Sequence, residues 1–183
     1  MGGVPFTTPT RTAADLLRWL RPHMGLACAD VFAARGLVQT EAVLAMLSRW
    51  PGGRFVKQAR RLAEFIEPLT ESYGESWLRL RILDAGFPRP TAQIPIMDEQ
   101  GRLVYRLDLG WPERKIGIEY DGEEFHSSAA AMAADAIRRE SLARRFGWNV
   151  VGVGREVLGQ DLSLEKGIGE LLGLEPQILR RSW

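Results

Sequence analysis

"KIGIEYDGEEFH", residues 115–126, sets Glu119, Asp121, Glu123 and Glu124 close together at the end of an apolar strand pattern. Side chains on a strand alternate between its faces. Ile116, Ile118 and Tyr120 therefore share one face, the expected core side, while Lys115, Gly117, Glu119 and Asp121 share the other. Glu119 and Asp121 then lie about 7 Å apart at Cα. In the preceding strand pattern, "RLVYRLDLG" at 102–110, Asp108 falls with Val104 and Arg106, opposite Leu103, Tyr105, Leu107 and Leu109. Pairing of the two strands through "WPER" brings Asp108 beside Glu119 on the non-core face. Carboxylates so gathered raise one another's pKa and call for a cation or a basic neighbour. An all-oxygen cluster suits a hard ion such as Mg²⁺ or Mn²⁺. The plainer reading is a solvated strand end with Lys115 and Arg106 as cross-strand partners.

Around this stretch the pattern is mixed α/β. "AQIPI" at 92–96 is a further strand candidate, and the turn signals "DEQG" and "WPER" make the three strands an antiparallel meander. A helix, "GESWLRLRILDAG", precedes them and ends at Gly86, and "FPRP" then forces an extended connection. An Ala-rich helix over 128–146 follows, closed by Gly147. "WNVVGVG" is a short strand and "SLEKGIGELLG" a last helix. The first seventy residues read as helix throughout. Thr10 caps a helix stopped by Pro22, a second runs over 26–34 to Gly36, Thr40 caps a third that stops at "PGG", and a fourth covers 54–66. The polar "EPLTESYGESW" marks the boundary, giving a helical module at 1–70 and an α/β domain at 71–183.

Composition bounds the partners. The chain of 183 residues is 45% hydrophobic and 26% charged, ordinary globular values. Its net charge is +1, but residues 1–70 carry an excess of four positive charges and residues 71–183 an excess of three negative ones. That asymmetry suits two modules. Cys28 has no second thiol to pair with and is expected to be a small buried residue, as in a chain suited to the reducing cytoplasm. No apolar run reaches the ~18 residues of a membrane span, and the first residues lack the pattern of a secretory signal, so no membrane partner is expected.

Taken together, "ESWLRLRILDAGFPRP", "RLDLGWPERKIGIEYDGEEFH", "DAIRRESLARRFGW" and "NVVGV" resemble a Vsr-like member of the PD-(D/E)XK nuclease superfamily. They are especially similar to the nuclease-fold C-terminal part of actinobacterial proteins related to AbiEi-type antitoxins. The similarity covers about residues 72–155. It implies a restriction-endonuclease-like core, a mixed sheet flanked by helices, preceded here by the all-helical module. It also implies a Mg²⁺- or Mn²⁺-dependent endonuclease acting on DNA, in a toxin–antitoxin or defence setting. On this pattern Asp108 matches the metal-binding strand aspartate and Glu119 the second motif acid. Asp121 takes the position where most of the superfamily has lysine, a replacement shared by the Vsr-like branch. His126 matches the histidine that follows "DG", and Glu75 the glutamate of the first helix. Asp135 and Arg138 match the D-x-x-R of the long helix.

Each of these residues also has a structural reading. "SYGE" is a capping box, with Glu75 paired to Arg79 four residues on. His126 opens the next helix, and Asp135 with Arg138 or Arg139 forms an intrahelical ion pair. Lys115 is on the face of Glu119 but about 13 Å away, too far to replace the missing lysine. A nuclease fold kept only to bind DNA or a partner protein, as in an antitoxin-type regulator, is the alternative to an enzyme. Self-association through the helical module is a third reading.

Overall fold

The structure is a computed structural model that describes residues 4–122, 129–158 and 162–177. Its helices and four-stranded mixed sheet make it an α/β protein, with helices preceding the sheet in the chain. The chain divides into two compact units between Leu80 and Arg81. That division falls within the helix Tyr73–Asp84.

The first unit is helical. Helix α1 (Pro9–Trp19) is capped by Thr8, whose Oγ1 accepts the Arg11 N–H at 3.3 Å, so the cap lies two residues before the expected Thr10. Pro22, expected as a stop, instead occupies the first turn of α2 (Pro22–Ala34), where its missing N–H costs nothing. Helices α3 (Thr40–Ser48) and α4 (Val56–Ala63) follow, then α5 (Tyr73–Asp84). Leu17, Leu26, Val43, Leu47 and Leu62 form the buried centre of this unit. Cys28 is only half-buried. Asp30 lies beneath the same unit, fully buried. It accepts from Arg79 at 2.5 Å, from the Ser76 hydroxyl at 2.7 Å and from the Glu67 N–H at 2.9 Å.

The second unit holds the sheet. Strands β1 (Thr91–Met97), β2 (Leu103–Trp111) and β3 (Ile116–Asp121) form the antiparallel meander. Strand β4 (Asn149–Gly154) pairs with β3 in parallel. A parallel neighbour requires a crossover, and α6 (Ala129–Phe146) supplies it. Helix α7 (Ser163–Leu172) follows β4. Ile118, Val151 and Val153 share an apolar groove with Leu164, Ile168 and Leu171 of α7. On the opposite sheet face, Val150, Leu107, Ile94 and Ile96 pack with Leu142 of α6 and with Trp148. Both faces of this sheet are therefore covered.

That double coverage corrects the expectation of one core face and one wet face. Glu119 stands on the α6 side and is only 5% exposed. The strict alternation expected along β2 also fails. Leu109 pairs with Ile118 and shares its face. Leu107 instead reaches the point where a Cβ on Gly117 would lie, on the other face. Opposite this step, Gln93 adopts a left-handed φ of 51° between the pairs Ala92–Leu109 and Ile94–Leu107. The alternation is reset there, and Tyr105 with Leu107 ends on the face of Glu119 rather than against it.

Candidate functional site: an arginine-clamped carboxylate cluster

The β2–β3 ladder ends at the Leu109–Ile118 pair, and Asp108 and Glu119 are the next residues along each strand. Asp108 Oδ2 accepts the backbone N–H of Tyr120 at 2.8 Å, which fixes it against the end of β3. Glu119 sits one residue earlier, buried under α6. Its Oε1 accepts from the Tyr105 hydroxyl, and its Oε2 from Arg138 of α6 at 3.1 Å. Arg138 also lies over the Tyr105 ring, 4.9 Å from its centroid, and pairs with Asp135 one helical turn back at 2.8 Å. Tyr105, Glu119, Arg138 and Asp135 thus form one connected polar chain from sheet to helix.

Asp121, half-buried at the end of β3, pairs with Arg139 of α6 at 3.4 Å. Gly152 on β4 makes this contact possible. A Cβ there would overlap the Arg139 guanidinium and come within 2.5 Å of Asp121 Oδ2. Arg138 and Arg139, adjacent on α6, each serve a different carboxylate of β3.

Burial pushes Glu119 above its ordinary pKa, and the negative charge of Asp108 adds to the rise. The Tyr105 hydrogen bond and the Arg138 charge pull it back, less strongly. Burial and the neighbouring Glu119 also push the Tyr105 phenol well up, so it remains a donor at neutral pH.

The structure places the residues singled out in the sequence unequally. Asp108, Glu119, Asp121, Asp135 and Arg138 all belong to this cluster. Glu75 belongs to the first unit, where its N–H donates to Ser72 Oγ and its carboxylate accepts the Glu71 N–H, each at 3.1 Å. It is a helix-capping residue, with the Ser72 hydroxyl and the Glu71 N–H as partners at the start of α5. His126, with Glu123 and Glu124, lies outside the described residues. Lys115 stands at the start of β3 with its ammonium over the Trp148 ring, 5.2 Å from the centroid. Sequence reasoning missed Tyr105, because alternation put it on the wrong face. It also missed the service of Arg139 to Asp121, although the sequence does place a small residue, Gly152, in β4.

An all-oxygen donor set of Asp108 and Glu119 has the chemistry of a hard divalent ion, which is commonly bound through one or two carboxylates and keeps several waters. Among the described residues there is no group of three or more His, Cys, Asp or Glu placed to hold a metal ion. Two carboxylates therefore fit such an ion only with water completing its shell, and Glu119 must exchange Arg138 for it.

The chain is similar to the uncharacterized proteins MT2308 and Rv2248 of Mycobacterium tuberculosis. It is 31% identical to each over 147 residues, which is 80% of this chain and 54% of either relative. It thus spans about half the length of the curated relatives it matches. No family model matches the chain. No solved structure matches it either. Among the described residues, no helix is long and apolar enough to cross a membrane.

Proposed function

We propose that the α/β unit is a nuclease-fold domain that hydrolyses phosphodiester bonds of nucleic acid, DNA first, with Mg²⁺ or Mn²⁺ held by Asp108 and Glu119. The observation that carries this reading is the anchoring of Asp108 of β2 on the backbone N–H of Tyr120, the residue after Glu119, at 2.8 Å, which holds two acids from adjacent strands at one strand end. A pair of like charges kept together at strand ends is a costly arrangement that a bound cation relieves. Such an ion supplies an acidic water and neutralises charge on the scissile phosphate. The chain's own groups do the rest. The Tyr120 N–H holds Asp108 in place, the Tyr105 hydroxyl holds Glu119, and Asp121 stands at the rim of the cluster. Arg138 keeps its pairing to Asp135 when it gives up Glu119, so its release leaves no bare guanidinium. In this proposal His126 moves the proton to or from the reacting oxygens.

A second reading is favoured by the closure of the cluster itself. Both oxygens of Glu119 are already bonded, and each β3 carboxylate has an arginine. A site so neutralised is also a finished structural element, consistent with a nuclease-fold module that binds nucleic acid or a partner protein in an antitoxin-type regulator without cutting.

Cleavage assays separate the two. Under the enzyme reading, divalent-ion-dependent nicking of DNA is lost in Asp108→Ala and Glu119→Ala while both variants stay folded. If duplex, mismatched and single-stranded DNA and RNA all survive intact, and binding persists in both variants, the enzyme reading fails and the binding module stands.

A further inference from the structure

The helical unit carries a second feature of different chemistry. Trp19, the last residue of α1, is 54% exposed, and Phe55, which precedes α4, is 44% exposed. Their rings meet edge-to-face with centroids 5.6 Å apart. Large aromatic rings held together at a surface are unusual, because association in the interior is the cheaper place for them. Phe55 is also held at φ 61°, the left-handed region that a bulky residue occupies only at steric cost. Glycines stand at 52 and 53 in the same turn, yet the strained position carries an exposed phenyl ring. Neither core filling nor turn geometry accounts for that choice.

Arginines surround these rings. Arg54 lies over Phe55 at 4.8 Å, Arg18 over Trp19 and Trp50 at 5.0 Å each, and Arg11 over Trp50 at 4.6 Å. Arg18 also donates to the Arg54 carbonyl at 3.2 Å, which ties α1 to the turn. Asp15 pairs with Arg11 and Arg18 and offsets only part of this charge. Guanidinium planes stacked on rings still present their N–H edges outward, where phosphate oxygens bind.

We propose that this Trp19–Phe55 face binds single-stranded nucleic acid, with bases stacking on the exposed rings and phosphates meeting Arg11 and Arg54. Exposed rings interleaved with arginines favour a single strand over a duplex, whose bases are already stacked and whose backbone asks only for charge. They favour it over an acidic protein segment for the same reason, since that partner has no use for a stacking surface. The proposal stands apart from the nuclease reading and uses none of its residues.

The test is binding of a fluorescently labelled oligothymidylate to the full chain, followed by anisotropy in the presence of a chelator so that no cleavage contributes. Trp19→Ala and Phe55→Gly are expected to weaken binding on the order of tenfold each, the usual effect of losing one stacked base. Phe55→Gly is expected to leave the melting temperature unchanged or raised, because glycine accepts this backbone conformation. That combination separates a binding role from a structural one. Arg11→Gln and Arg54→Gln are each expected to lower the log–log salt slope by about one. The proposal is overturned if duplex binds as tightly as single strand, or if anionic vesicles bind and the oligonucleotide does not. It is equally overturned if Trp19→Ala and Phe55→Gly both bind as the parent does.

Discussion

Arg138 donates to Glu119 at 3.1 Å while its guanidinium lies over the ring of Tyr105, the residue whose hydroxyl bonds the other oxygen of the same carboxylate. On the proposed reading, a divalent ion held by Glu119 would have to displace this guanidinium. Removing it tests that competition directly. Arg138→Ala is expected to bind Mn²⁺ more tightly than the parent in calorimetric titration, and Glu119→Ala to lose the site. Equal affinity in parent and Arg138→Ala would show that the arginine and the ion do not compete.

The raised pKa of Glu119 makes a prediction about pH. Folding favours its protonated form, so its contribution to stability is full below the ordinary value of 4.5 and is lost as pH rises through the higher folded value. In Glu119→Gln that dependence is absent. The stability difference, parent minus variant, is therefore expected to fall as pH rises from acid toward neutral. Urea denaturation of both proteins across this range measures it, and a constant difference contradicts the shift.

Gly152 and Gly167 should respond oppositely to alanine. At Gly152 the added methyl meets Arg139 and Asp121, and overpacking of this kind costs about 1–3 kcal/mol. At Gly167, within α7, a Cβ meets nothing within 4 Å, so alanine gains up to about 1 kcal/mol from helix propensity. Thermal or chemical denaturation of the two variants checks both signs, and the Gly152 variant should also lose the Arg139–Asp121 pairing.

Arg81 and Glu165 form a fully buried bidentate pair, Nε to Oε1 at 2.8 Å and Nη2 to Oε2 at 2.5 Å. Glu165→Ala removes the bidentate acceptor of a buried guanidinium and is expected to cost about 3–5 kcal/mol. Replacing both residues, as in Arg81→Met with Glu165→Leu, removes the buried charge together with its acceptor and should recover most of that loss. Failure of the double variant to recover would mean that the pair does more than balance charge.

The order of the elements was legible because it rests on local chemistry. Turn residues at 98–101 and 111–114 separate the strands, Gly86 and Gly147 close helices through left-handed φ, and the pattern from β1 to β4 follows. Helix starts were less legible. Pro22 reads equally as a stop or as a first-turn residue, and only the packing of α2 decides. The charged positions of α5 gave no warning either. Arg79 and Arg81 look like the solvated face of a helix, yet both are fully buried, because Asp30 and Glu165 reach them from 49 and 84 residues away.

The sequence by itself determined the strands, the antiparallel order of the first three and the presence of Asp108, Glu119 and Asp121 near their ends. These follow from alternation and turn chemistry, which act over a few residues. Tertiary structure alone decided which side chains meet. The left-handed backbone at Gln93 marks where the alternation of β2 is reset, bringing Tyr105 to Glu119, and α6 covers a face that alternation left open to water. Its arginines then become the counter-charge. A strand pattern carries no record of such a reset or of the helix that will lie over it, because both depend on chain segments distant in sequence.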